Sequence, residues 1–194
     1  MSTEFLIWRY QSVAGACIPN RLEGMTKKFQ LHTGVPRRAD FPANVTFHMN
    51  PDFPNDLVVL DNIRNGALAV LVSEGVHKFL QLHAGPCVEY LPVKIVDNKG
   101  HVASASHVIV HPIEPLDCID RQQSIFTPSA LIEGNIDRFA KLVIDASLVP
   151  ADRQLFKLKG HGEPIIARRA FAESLRQQMF SGLDWLEVAA YRGR

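Results

Sequence analysis

The sequence has few cysteines, and they are far apart. Only three of its 194 residues are cysteine, at Cys17, Cys87 and Cys118, and none belongs to a CxxC motif. An odd number of isolated cysteines favours reduced thiols over disulfides and argues against a zinc site. A chain of this length buries a full core without either device. We therefore expect no disulfide, no metal and no cofactor.

The sequence also lacks an excess of charge and a long apolar run. It has 21 basic and 20 acidic residues, a net charge of +1, whereas nucleic-acid-binding proteins usually carry a clear basic excess. No apolar run approaches the length of a membrane span. The first ten residues lack the basic and apolar segments of a signal peptide. We expect a cytoplasmic protein whose partner is neither a nucleic acid nor a membrane.

The histidines show no spacing that suits a metal. His107 and His111 are four residues apart, but the three β-branched residues between them predict a strand. At about 3.3 Å per residue their rings would start about 13 Å apart. Zinc needs its ligands near 2 Å, so we expect no metal site here.

Two aspartates remain as candidates for acid–base chemistry. Asp117 and Asp120 are three residues apart and are followed by Arg121. Two carboxylates and a histidine would suit a small hydrolase or a nucleotide-handling enzyme. The commoner alternative is a turn in which the aspartates accept hydrogen bonds from main-chain amides. Because neither a Gly-x-Ser-x-Gly elbow nor a phosphate-binding loop accompanies them, we favour a protein that is not an enzyme.

A strand–helix–glycine–strand pattern occurs twice, near residues 67–96 and near 164–191. In the first unit an apolar run precedes Ser73, whose hydroxyl can cap a helix that ends at Gly85. In the second, an amphipathic helix ends at Gly182. A helix of this length permits a crossover between parallel strands.

The remaining pattern predicts a mostly antiparallel protein. Residues 88–96 and 102–111 form the arms of a hairpin, and further strands are expected at 5–10, 136–145 and 155–158. The fold class is therefore α+β, with a mixed, mostly antiparallel sheet. We expect residues 1–194 to be a single domain, irregular over 1–56 and regular over 57–194.

The irregular stretch 11–56 is rich in proline, glycine and asparagine. Long loops in compact domains are often functional, so this stretch is a candidate contact surface; a loop packed over the core is equally possible. Four phenylalanines could anchor a partner or could cover the protein's own core instead. They are Phe29, Phe41, Phe47 and Phe53.

Several short motifs, in their order and spacing, resemble a family of bacterial immunity proteins. The family is found in polymorphic-toxin loci and was first catalogued as a domain of unknown function. The resemblance covers nearly the whole chain and is best from about residue 56 onward. It is carried by residues 56–63, 71–75, 88–93, 110–112 with 117–120, Ser124, 152–159 and 181–185.

The resemblance implies an interaction protein that binds and neutralises a cognate toxin. Such a toxin is encoded by a neighbouring gene and is often delivered by type VI or related secretion. The resemblance supplies no catalytic residues. It implies instead that the matching positions are structural, with Phe156 and Trp185 as core anchors.

Overall fold

The computed structural model describes residues 4–193, which form twelve β-strands and two α-helices. Short 3-10 segments lie at Lys28–His32, Ala146–Leu148 and Val188–Ala190. The helices are α1 (Glu74–His83) and α2 (Arg169–Arg176). The strands are β1 (Phe5–Tyr10), β2 (Arg21–Glu23), β3 (Thr46–His48), β4 (Asn62–Ile63), β5 (Val70–Val72), β6 (Val88–Val96), β7 (Val102–Pro112), β8 (Ile125–Pro128), β9 (Ile136–Lys141), β10 (Leu155–Leu158), β11 (His161–Arg168) and β12 (Leu183–Glu187).

The strands of this part of the chain form two main sheets and a separate hairpin. The six-stranded sheet has the order β2-β3-β6-β7-β5-β4, and the four-stranded sheet has the order β10-β11-β1-β12. Strands β8 and β9 pair only with each other. All pairings of named strands are antiparallel except β3 with β6. The expected α+β class, with mixed and mostly antiparallel sheets, is confirmed.

The two strand–helix–strand units have the same topology. In the first, β5 and β6 lie on either side of β7 and are antiparallel to it, so they run parallel to each other across it. In the second, β11 and β12 flank β1 in the same way. Each helix therefore connects two parallel strands that are separated in the sheet by one antiparallel strand. The two units belong to different sheets.

The central core lies between the two main sheets and is completed by both helices. The strands around it are apolar on both faces, because each sheet also has an apolar cluster on its opposite face. Along β1, Leu6 and Trp8 join the central cluster with both helices, while Phe5 and Ile7 join a cluster on the opposite face. Strand β5 alternates likewise, since Val72 faces the centre and Leu71 faces the N-terminal loops. The two sheets and the inner faces of both helices thus enclose the central cluster, and a further apolar cluster lies on the opposite face of each sheet. The helices touch through Phe79 and Phe171, whose ring centroids are 6.1 Å apart.

Two polar side chains join the units at the ends of their helices. The Asp61 carboxylate accepts hydrogen bonds from Ser73 Oγ (2.7 Å) and from both the amide and the hydroxyl of Ser181. Next to it, the buried Asn62 accepts from Trp8 Nε1 and donates to the Gly182 carbonyl oxygen. Three of the motifs behind the family resemblance therefore meet at one junction. Asp61 is held in its charged form there, since these hydrogen bonds lower the pKa of its carboxyl against the opposing effect of partial burial.

Three local expectations need correction. Ser73 occupies the N-cap position of α1, but its hydroxyl bonds Asp61 and makes no cap hydrogen bond. The strand expected over 136–145 ends at Lys141, because the chain then leaves β8 and forms only an isolated bridge between Ile144 and Ile119. Residues 159–163 form a glycine-spaced polar segment whose sequence predicts a flexible connection between a strand and a helix; in the structure they contain the tight turn between β10 and β11.

Candidate protein-binding surface

Two adjacent loop segments, residues 13–18 and 53–58, form an exposed apolar surface. They are tied together where Cys17 N donates to the Val58 carbonyl oxygen (2.9 Å) and Val58 N donates to that of Gly15 (3.0 Å). Gly15 has a φ of +72°, a conformation that favours glycine. This short parallel bridge turns Cys17 into the core and leaves Val58 outside.

Two consecutive turns hold Phe53 at this surface, where its side chain is 57% exposed. Phe53 N donates to the Asn50 carbonyl oxygen and Asp56 N donates to that of Phe53, both at 3.1 Å. The two prolines flanking Phe53 keep the segment out of any sheet, since proline lacks an amide donor. Phe53 and Ile18 line one small cavity of about 50 Å³.

We call this surface the Phe53 patch and define it by its five exposed aliphatic or aromatic side chains. Their exposed fractions range from 37% to 57%. Val13 and Ile18 line a second cavity, and because Ile18 also lines the cavity beside Phe53, it links the two segments. Its members are Val13, Ile18, Phe53, Leu57 and Val58. Contiguous exposed apolar side chains on a monomer commonly mark a contact site.

The four phenylalanines suggested by the sequence lie in different environments. Phe53 and Phe29 are exposed, at 57% and 65%. Phe41 is half-buried against the core cluster under the loops. Phe47 is only 1% exposed, because β3 pairs with β2 and β6 and turns this side chain inward. In this conformation Phe47 therefore offers almost no surface to a partner.

Another loop, residues 28–38, is held against the core by polar side chains, and we call it the clamped loop. Lys157 Nζ donates to the Leu31 carbonyl oxygen at 2.6 Å, and His111 Nε2 donates to that of Val35 at 2.9 Å. His32 Nε2 donates to the Ala67 carbonyl oxygen. These contacts satisfy carbonyl groups of an irregular backbone that is partly shielded from water.

Burial controls the titration of these clamping groups. It lowers the pKa of Lys157 to about 7, and it also lowers the pKa values of His111 and His32. The positive charge that Lys157 carries when it is protonated lowers the pKa values of both histidines further. Each of these bases therefore loses its proton at a lower pH than it would in water.

The groups considered for catalysis have structural contacts. Asp120 accepts hydrogen bonds from the main-chain amides of Gln122 and Gln123 and from the Gln123 side chain, as a turn-capping residue does. Asp117 forms a 3.4 Å ion pair with Lys159. No histidine contacts either aspartate among the hydrogen bonds and ion pairs of residues 4–193.

The paired histidines of β7 are buried and serve different loops. His107 Nε2 lies 3.2 Å from the Leu60 carbonyl oxygen and its Nδ1 lies 2.7 Å from Ser104 Oγ, whereas His111 holds the clamped loop. Within residues 4–193, no three His, Cys, Asp or Glu side chains are grouped so that they could bind a metal ion. In the same residues, neither helix has the length and apolar character needed to span a membrane.

The match to a known family covers both units and most of the loops. A family model described as the Imm11 immunity protein family matches residues 8–190. The chain belongs to the Imm11 immunity protein family. The resemblance noted from the sequence is confirmed, and Imm11 membership implies a non-enzymatic role. No curated protein matches this chain in sequence.

Proposed function

We propose that this immunity protein neutralises a cognate toxin by binding and occluding it, and that the Phe53 patch contacts the toxin. Family membership supports the immunity role. The observation that carries the choice of surface is the grouping of five exposed apolar side chains on irregular loops, of which Phe53 is the largest and the most exposed. Burial of such side chains in a partner is the main source of affinity in a protein interface.

The expected affinity is high. An immunity protein must keep free toxin scarce at cellular concentrations, which favours a dissociation constant of about 1 nM or lower, about −12 kcal/mol. An aromatic anchor near the centre of a contact often contributes 2 kcal/mol or more. Replacing Phe53 should therefore weaken binding by about 30-fold or more.

We further propose that the protein acts in the cytoplasm, without catalysis, on a toxin encoded by a neighbouring gene in a polymorphic-toxin locus. Delivery of that toxin by a type VI or related secretion system is part of the same proposal. Its support is the family match together with the structural contacts of Asp117 and Asp120.

Co-expression with the neighbouring toxin tests this proposal. We expect rescued growth and a stoichiometric complex that purifies through a tag on either partner. Phe53→Asp should weaken both. Phe29→Asp changes a phenylalanine of comparable exposure that lies outside the patch, and it should leave both unchanged. Rescued growth without a complex at micromolar concentrations, together with turnover of a substrate or product of the toxin, would mean that the protein is an enzyme.

A further inference from the structure

The Phe53 patch has a distinctive charge pattern at its rim. Of residues 10–20 and 50–60, which supply the patch and its surroundings, only Asp52 and Asp56 carry charge. The chain as a whole has a net charge of +1. The patch is therefore locally acidic within a slightly basic protein.

Neither carboxylate is satisfied by the protein itself. Within residues 4–193, no ion pair involves Asp52 or Asp56, and each contributes only its main-chain amide to the hydrogen bonds of the turns. Asp56 lies at the cavity shared by Ile18 and Phe53. A partner covering Phe53 would also remove water from the half-buried Asp56.

Desolvating an unpaired carboxylate is costly unless a cation takes the place of the water. The partner that best matches this surface therefore places a lysine or arginine beside Asp52 and Asp56 when it covers Phe53. A basic residue of this chain, Arg64, lines the cavity that contains Val13 and Ile18. It marks the end of the patch where added positive charge on the partner would be unfavourable.

We infer that the segment of the toxin seated on the Phe53 patch is apolar at its centre and carries lysine or arginine on the side that faces Asp52 and Asp56. This inference rests on the proposed function and specifies the chemistry of its partner. Charge pairs at the rim of an interface act mainly on the rate of association and on its dependence on salt.

Association kinetics with the toxin encoded by the neighbouring gene, made catalytically inactive, test the inference. We expect the full-length double variant Asp52→Asn/Asp56→Asn to associate about three- to tenfold more slowly than the native chain at low ionic strength. The difference should shrink as salt is added. Arg64→Gln, the matched control, removes one charge of opposite sign and should leave association unchanged or make it faster.

The possible results separate this inference from the function on which it rests. Tight toxin binding with equal association rates for the native chain and the aspartate variant would overturn the inference alone. Slower association of Arg64→Gln would overturn it too, because it would indicate an acidic partner. Failure of the native chain to bind the toxin would overturn both proposals.

A second copy of this chain is the other possible occupant of the patch. Sedimentation of the native chain and of Phe53→Asp, each without toxin, tests this case. We expect identical sedimentation coefficients. A native dimer that Phe53→Asp dissociates would assign the patch to self-association and would overturn the inference.

Discussion

The clamped loop and the Phe53 patch are two irregular regions that differ in whether their polar groups are bonded to the rest of the protein. Both contain proline, and neither forms a long helix or strand. The clamped loop is held by buried groups on β7 and β10, with Lys157 and His111 bonded to its carbonyl oxygens. The Phe53 patch instead exposes apolar side chains over an ordered turn and leaves two carboxylates unpaired. Irregular backbone alone therefore does not identify a contact surface. A better indication is that its polar groups are left without partners in the protein while its apolar side chains are exposed.

The largest loss of stability is expected when Phe47, a buried residue of the N-terminal region, is replaced. Phe47→Ala removes a fully buried aromatic side chain and should lower the free energy of unfolding by about 3–5 kcal/mol. Urea unfolding followed by circular dichroism measures this change. A loss below about 1 kcal/mol would mean that Phe47 is not part of the core.

A smaller effect is expected where the clamped loop crosses β11. The His32 carbonyl oxygen occupies the position that a Cβ at Gly162 would take. Gly162→Ala should therefore push the loop away and cost about 2–3 kcal/mol. Gly75→Ala is the control, because its Cβ would meet only the edge of the Phe180 ring, at 3.2 Å. Equal stability of the two variants would show that the loop is not fastened at this point.

Lys157, which holds the clamped loop, should also make the free energy of unfolding depend on pH. Burial lowers the pKa of Lys157 to about 7, whereas its ordinary value is 10.5, so the unfolded chain binds more protons between these values. The contribution of Lys157 to stability therefore rises with pH over this window, by at most about 1.4 kcal/mol per pH unit.

Unfolding free energies at pH 7.0, 7.5 and 8.0 test this prediction. This range lies below the titration of the buried thiols and tyrosines, whose raised pKa values act in the opposite direction. Lys157→Met should remove part of the upward slope. Identical slopes for Lys157→Met and the native chain would mean that Lys157 is charged and hydrated in the folded protein.

The smallest effect on stability is expected at the patch itself. Phe53→Ala and Phe29→Ala each shorten a side chain that is more than half exposed, so each should change the free energy of unfolding by no more than about 0.5 kcal/mol. Thermal unfolding of both variants measures this. A substantially less stable Phe53→Ala would indicate that Phe53 supports its own loop, and not a partner.

Much of the fold could be predicted because its signals are local. The bounds of β1 and β6 and the positions of both helices follow from runs and periodicities within a few residues. Gly85, with a φ of +87°, follows α1 directly after its C-cap residue, as the pattern of a glycine after a helix indicates. The expectation that the second helix ends at Gly182 is wrong: α2 ends at Arg176, and Met179 takes the positive φ (+57°) that follows it. The single-domain organisation stays a prediction.

The attachment of the clamped loop and the position of the Phe53 patch could not be predicted, because they depend on contacts between residues that are far apart in the sequence. Lys157 contacts a residue 126 positions away, and Asp61 contacts one 120 positions away. Nothing within a short window distinguishes the inward-facing Phe47 from the exposed Phe53, since a strand of three residues is too short to show its alternation. The strand pairings of β3 decide the difference.

Hydrogen–deuterium exchange of the protein with and without its toxin tests the central claim most directly. Binding at the Phe53 patch should slow amide exchange in residues 13–18 and 53–58 and leave the clamped loop unchanged. The exposed tip of the β8–β9 hairpin, where Leu131 is 93% exposed, is the internal comparison. Protection confined to that tip or to the clamped loop, with none in 13–18 and 53–58, would contradict the account.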